Sequence, residues 1–119
     1  MPQVIIHVST SVEEGSKAIM VKEIREAITK VLKLDTIIGQ VILYDSPVTH
    51  RGTYANRDPN FVFIEVFMYP GRSLQVKQEM MERFILLINR YTGVERDNIH
   101  ALIHEIPQEN YFGGMMHQH

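Results

Sequence analysis

The order strand, helix, strand occurs twice along this chain of 119 residues. In the first copy, the apolar runs at residues 4–9 (VIIHVS) and 40–44 (QVILY) are typical of short strands. Between them, apolar residues recur at the spacing of one helix face. Ser11 followed by Glu14 forms a capping-box pattern. We therefore expect a helix that begins there and ends near Leu34.

The second copy has sharper boundaries. Residues 61–68 (FVFIEVFM) form the strongest strand pattern in the chain, and residues 98–106 (NIHALIHEI) form another. The intervening segment again has an apolar stripe at helical spacing, with Ser73 as the expected N-cap and Gly93 as the expected residue just beyond the helix.

This repeated pattern restricts the fold. A helix that connects two strands of one sheet makes those strands parallel, with a right-handed crossover. The sequence therefore predicts an α+β fold, in which two tandem βαβ units form a four-stranded sheet with both helices on one face. We predict one domain over residues 1–119, with repeat one at about 2–45, a turn-rich linker at 46–60 and repeat two at about 61–114.

The strand at residues 61–68 is apolar on both faces, with Glu65 as its single polar interruption. Helices can cover one face of the sheet, which leaves a second apolar face exposed in a monomer. Soluble monomers avoid large exposed apolar patches. The pattern therefore predicts a homo-oligomer, and we expect Glu65 to find its partner across the subunit interface.

Composition excludes several classes of function. The chain contains no cysteine, which excludes disulfides, thiolate catalysis and cysteine metal sites. The net charge of −2, without a basic block, disfavours nucleic acid and anionic membranes as partners. No apolar run is long enough to span a bilayer, and no signal peptide is recognisable. We therefore expect a soluble, cytoplasmic protein that needs no metal or other cofactor.

Three features occur together in this chain. Pro2 stands directly behind Met1 and opens the first strand, the run YPGRSLQVKQEM follows the third strand, and the tail contains Tyr111-Phe112-Gly113-Gly114. With the duplicated βαβ unit, these features resemble the tautomerase superfamily, the group of 4-oxalocrotonate tautomerase. Length and the ending HEIPQENYFGG are most similar to its fused branch, which includes malonate semialdehyde decarboxylase and cis-3-chloroacrylic acid dehalogenase.

The resemblance implies a homotrimer of fused chains that acts on a small carboxylate, typically a 2-oxo acid or its enol. It also implies that Met1 is removed and that the Pro2 nitrogen becomes the catalytic base. A terminal proline is a secondary amine, and an apolar pocket would keep it neutral. Arg72 would hold the substrate carboxylate in a bidentate manner and stabilise developing enolate charge. Pro59 is an internal amide and cannot be a base.

The remaining site residues are assigned by the same resemblance. Tyr111 and Phe112 would wall the pocket, and His100 falls near the position where the small tautomerases carry a second arginine. Val12 occupies the position of the equivalent arginine in repeat one. Other sources of a second cation are Arg51 and Arg57 in the linker.

Other functions stay open at this point. A protonated Pro2 would suit hydration-type dehalogenation or decarboxylation, although the decarboxylase's arginine before Arg72 has no counterpart here. The order βαββαβ also occurs in ferredoxin-like binding modules. A non-catalytic oligomer with a vestigial site is the last alternative.

Overall fold

The computed structural model describes residues 2–34, 39–46, 51–52 and 60–114. This part of the chain contains four strands and two long helices, with short 3-10 turns at Arg96–Asn98 and Gln108–Asn110. In chain order, the elements are β1 (Gln3–Val8), α1 (Glu14–Leu32), β2 (Gln40–Asp45), β3 (Val62–Met68), α2 (Leu74–Thr92) and β4 (Ile99–Glu105). No helix in the described residues is long and apolar enough to cross a bilayer.

The four strands form one sheet in the order β2-β1-β3-β4. Each βαβ unit contributes a parallel pair, β1 with β2 and β3 with β4, and the two units meet through antiparallel pairing of β1 with β3. The predicted α+β architecture of two tandem βαβ units is therefore confirmed. The predicted linker falls mostly on residues 47–50 and 53–59, which lie outside the described residues.

The core lies between the sheet and the helix pair. Alternate residues of the central strands are almost fully buried, as the period of two in a strand requires. Both helices direct an apolar stripe onto this surface. The most buried strand and helix residues are Val4, Ile6, Ile64, Val66, Met20, Ile24, Ile28, Met80, Phe84 and Ile88. Both helices thus cover the same face of the sheet.

The predicted ends of α2 are confirmed, but the predicted start of α1 is wrong. Ser73 accepts a hydrogen bond from the Val76 N–H at 3.2 Å, and Gly93 ends α2 with a left-handed φ of 72°. By contrast, α1 begins at Glu14 without a side-chain cap. Val12 is buried, and its N–H donates to Asp45 Oδ2 at 2.9 Å. These contacts keep the segment ahead of Glu14 extended against the end of β2.

Among the residues that the structure describes, no helix covers the other face of the sheet, and we call it the open face. It holds alternate strand residues that are half-buried or exposed, including Ile5, Phe63, Phe67 and Leu102. Within one chain, His104 Nε2 lies 3.6 Å from Glu65 Oε1. A partner of Glu65 across a subunit interface stays a prediction.

Candidate active site

Pro2 and Arg72 line one cavity of about 220 Å³ at an edge of the sheet. Parallel strands of a βαβ pair end at the same edge, so the turn after β3 and the segment after β4 meet there. The end of α1 and the residue ahead of β1 complete the walls. The lining residues are Pro2, Leu32, Leu34, Met68, Tyr69, Pro70, Arg72 and Gln108. We call this space the Pro2 cavity.

The backbone of Pro2 is fixed by its neighbours at the edge of the sheet. Pro2 is buried, and its carbonyl oxygen accepts a hydrogen bond from the Gln40 N–H at 3.2 Å. Gly39 approaches so closely that a Cβ atom on it would overlap the Pro2 carbonyl oxygen and lie 3.1 Å from the Pro2 nitrogen. Gly39 also has a φ of 78°, which side-chain-bearing residues rarely adopt. The absence of a side chain at Gly39 therefore allows the Pro2 backbone to occupy this position. No sequence motif indicated this contact.

Arg72 lies in the turn between β3 and α2, directly before the N-cap Ser73, as predicted. Its Nη1 donates to the carbonyl oxygen of Leu32, in the last turn of α1, at 3.0 Å. A cation at a helix C-terminus interacts favourably with the carbonyl groups that have no helical partner. This contact uses one of the five guanidinium N–H donors and leaves others available to an anion in the cavity.

An aromatic pair supports one wall of the cavity. Tyr69 lines the cavity, and its ring packs edge-on against Tyr111 with centroids 6.2 Å apart. The Tyr111 hydroxyl accepts a hydrogen bond from Gln3 Nε2 at 3.2 Å. Tyr111 thus contacts the lining residue Tyr69 without lining the cavity itself. Phe112 is 66% exposed and does not line the cavity. Tyr69 and Gln108 were missed as lining residues, although both follow strands that end at this edge.

Comparison with known proteins decides the family. A family model for tautomerase enzymes matches residues 37–113, more than half of the chain. The chain belongs to the tautomerase family. A probable tautomerase of Streptococcus agalactiae is 26% identical over 50 residues, which cover 83% of that protein and 42% of this chain. That tautomerase is thus about half as long as this chain, as expected if this chain contains two units.

Solved structures share the tautomerase fold along most of the chain. The crystal structure of Pt0534 inactivated by 2-oxo-3-pentynoate aligns with a TM-score of 0.83 at 13% identity, covering 94% of this chain and 91% of that one. A fused 4-OT, a wild-type symmetric trimer, aligns with a TM-score of 0.81 at 12% identity and the same two coverages. At these identities, the similarity establishes the fold of this tautomerase chain.

His100 lies away from the Pro2 cavity within one chain. It stands near the start of β4, opposite Phe63, and its Nε2 is 3.1 Å from the Asp97 carbonyl oxygen. Phe63 precedes Phe67 by four residues, and Phe67 pairs with Gln3 beside Pro2. Four residues of strand span roughly 13 Å. The proposed role of His100 as an anion ligand stays a prediction, and it requires the cavity of another chain.

Of the other predicted sources of a second cation, the structure describes Arg51, which does not line this cavity. Arg51 places its guanidinium 4.2 Å from the centre of the Phe61 ring, as in a cation–π contact. Arg57 lies outside the described residues. Lys77, one turn into α2, pairs with Glu105 at 3.1 Å. Within the described lining, Arg72 is the single cationic side chain.

A second cavity, of about 240 Å³, occupies the corresponding place in the other repeat. It lies between the residue ahead of β3, the turn after β1 and the end of α2. Its described lining is Thr10, Ser11, Asn60, Thr92, Gly93, Val94 and Glu95, which includes a carboxylate and no cation. The two repeats therefore form similar cavities, and of their described lining residues only those of the Pro2 cavity include an arginine.

Proposed function

We propose that this chain is a tautomerase that uses the Pro2 nitrogen, freed by removal of Met1, as its base. The nitrogen would move a proton between the enol oxygen and a carbon atom of a 2-oxo or unsaturated carboxylate. The observation that carries this proposal is that Pro2, which is buried, and Arg72, which is exposed, line one cavity.

The surroundings of Pro2 favour a neutral amine. Leu32, Leu34 and Met68 line the same cavity, and apolar surroundings disfavour the charged form of an amine. A secondary amine with a free lone pair can accept a proton and later return it to carbon. General acid–base catalysis by one positioned group contributes about 10²–10⁴-fold.

Arg72 would bind the substrate carboxylate and stabilise the enolate. Arginine offers planar paired donors that match a carboxylate, and the Leu32 carbonyl holds the guanidinium in place. Arg72 also directly precedes the N-terminus of α2, where the helix dipole favours anions. The negative charge that develops on the substrate oxygen would therefore face positive potential.

We infer that the working form is a homotrimer. The open face of one chain exposes apolar side chains, among them Leu102 at 49%, and a second subunit would remove them from water. The similar fused 4-OT structure is a symmetric trimer. In such an assembly, His100 on the open face would be available to the site of a neighbouring subunit.

The deciding experiment measures ketonisation of phenylenolpyruvate by the purified protein and by a Pro2→Ala variant, with both N-terminal masses determined. Activity that falls by about 10²–10⁴-fold in the variant would support the base role. Labelling with 2-oxo-3-pentynoate, followed by peptide mass analysis, provides a second readout, because a neutral terminal amine adds to such an electrophile. Unchanged activity in the variant, or no activity despite a free Pro2, would contradict the proposal.

A further inference from the structure

His7 lies on a central strand of the open face, and we propose that it makes the assembly of the subunits sensitive to pH. A second copy of this chain covers its imidazole in the assembly, where the ring has to stay neutral. Mild acid then separates the subunits without unfolding them. This inference rests on the homotrimer proposed above and not on the chemistry at Pro2.

His7 belongs to the apolar part of the open face. It stands on β1, between Tyr44 of β2 and Phe63 of β3. Ile5, two residues earlier on β1, lies on the same face. In one chain His7 is exposed, and its ring stacks on Tyr44 with centroids 5.3 Å apart. A subunit that covers Ile5 and Phe63 therefore also covers His7.

A cavity of about 220 Å³ lies beside the His7 ring. Its described lining is His7, Val8, Ser9, Tyr44, Ser46 and Phe61. None of these lining residues carries a carboxylate, so they offer no negative charge to a protonated imidazole. Burial without a partner disfavours the charged form of a side chain. A second subunit that closes this cavity therefore favours the neutral form of His7.

The cationic and titratable groups near His7 add like charge. Arg51 brings its guanidinium to 4.2 Å from the centre of the Phe61 ring, which lines the same cavity. His100 stands in the same row of the sheet, two strands and about 10 Å away. Its Nε2 is 3.1 Å from the Asp97 carbonyl oxygen. A proton on either imidazole therefore increases the positive charge of this part of the face.

Two carboxylates lie close to this row, and both contact other groups. Glu65 is two residues further along β3, and its Oε1 is 3.6 Å from His104 Nε2. Asp45, at the end of β2, accepts from the Val12 N–H and pairs with Lys17 at 3.2 Å. A protonated His104 thus faces a carboxylate within its own chain, unlike the histidine of β1.

The direction of the pH effect follows from where the His7 ring can accept a proton. Histidine is the side chain that ordinarily changes its charge between about pH 5 and 8. In a separate subunit the exposed ring is open to protonation, whereas the covered face disfavours the charged form. The separate subunits therefore bind more protons than the trimer does, and association weakens as the pH falls.

The test measures the mass of the purified protein by light scattering, in dilution series at about pH 7.5 and about pH 5.5. For the wild-type protein, we expect the concentration at which half of the trimer has dissociated to be about tenfold or more higher at the lower pH. Circular dichroism at both pH values should show folded subunits, because the carboxylate of Asp45 loses its charge only below about pH 3.8.

Two variants of His7 separate its titration from its packing. His7→Phe keeps an aromatic ring and removes the titrating nitrogens, so the trimer should dissociate at similar concentrations at both pH values. His7→Asn is polar and neutral, so it should weaken the trimer equally at both pH values. His104→Gln is the matched control, since it removes an imidazole of the open face that already faces Glu65. It should keep the wild-type pH dependence.

Three results would overturn the inference and leave the trimer and the tautomerase function intact. They are equal dissociation of the wild-type trimer at both pH values, unfolding of the subunits at the lower pH, and His7 variants that keep the wild-type pH dependence. Loss of the pH dependence in His104→Gln would also overturn the assignment to His7. A monomeric wild-type protein at about pH 7.5 would contradict the proposed trimer, and this inference with it.

Discussion

Gly39 and Pro2 are in contact through their backbones, at the point where β1 and β2 begin side by side. A Cβ atom on Gly39 would lie 2.9 Å from the Pro2 carbonyl carbon and would overlap its oxygen. The Gln40 N–H, one residue further, donates to that same oxygen. The position of the proposed base therefore depends on a residue whose only contribution is the absence of a side chain.

Gly39→Ala should displace Pro2 and lower kcat/KM, because the new methyl group meets backbone that cannot move like a side chain. Gly93→Ala is the matched control. Gly93 has a similar φ of 72°, but an added Cβ would meet no atom within 4 Å. A left-handed conformation costs an L-residue about 1–2 kcal/mol, so both variants should be less stable in urea unfolding. Only Gly39→Ala should lose activity, and equal activity of the two variants would contradict this account.

Strands and helix ends that follow from the local residue pattern could be predicted from the sequence. The strand at 61–68 and the caps at Ser73 and Gly93 depend on local preferences, and the structure places them within one residue of the expected positions. Arg72 was predictable for the same reason, because its position follows from the start of α2. The pairing of the two units then follows from the geometry of βαβ connections.

Other features depend on contacts between distant segments. The Ser11–Glu14 capping box does not form. Instead, the Val12 N–H donates to Asp45, a residue 33 positions further along the chain. Glu65 pairs with His104 on the adjacent strand, and strand register decides this pair. Gln108 enters the Pro2 cavity because the segment after β4 is tied back to β3. None of these contacts has a signature within a single stretch of sequence.

Asp45 should make the stability of the fold sensitive to acid. The Val12 N–H donates to its carboxylate and Lys17 lies 3.2 Å away, and these contacts hold the pKa of Asp45 below its ordinary value of 3.8. A group with a lowered folded-state pKa stabilises the fold above its unfolded pKa, and this contribution is lost as the pH falls through the folded value. Asp45→Asn should therefore lower the Tm at neutral pH.

The difference in Tm between wild type and Asp45→Asn should shrink once the pH falls below about 3.8, and thermal unfolding followed by circular dichroism across this range measures it. Glu26→Gln is the control, because its ion pair with Lys22 is exposed and 4.0 Å long. It should change the Tm little at any pH. A difference in Tm between wild type and Asp45→Asn that stays constant across this pH range would show that the charge of Asp45 does not cause the stabilisation.

The open face should control assembly. Leu102 on β4 and Leu86 on α2 are exposed to similar extents, 49% and 53%. Leu102 lies on the open face, whereas Leu86 lines a surface cavity between the two helices. Leu102→Asp should convert the proposed trimer to smaller species in light scattering, because it places a charge in an apolar contact. Leu86→Asp should leave the mass unchanged. A monomeric wild-type protein, or equal effects of the two variants, would contradict the proposed assembly.

Arg72 should be required for turnover through its geometry as well as its charge. Arg72→Ala removes the cation from the Pro2 cavity, and we expect kcat/KM to fall by about 10²–10³-fold, as for other groups that stabilise a developing oxyanion. Arg72→Lys keeps the charge but loses the planar pair of donors, so it should recover only part of this loss.

Arg83, which pairs with Glu79 at 3.5 Å on the surface of α2, provides the control. Arg83→Ala should retain full activity, whereas full activity of Arg72→Ala would exclude Arg72 from the site. Since Arg72 also contacts the Leu32 carbonyl, its alanine variant should lose about 0.3–1 kcal/mol of stability, too little to account for the loss of turnover.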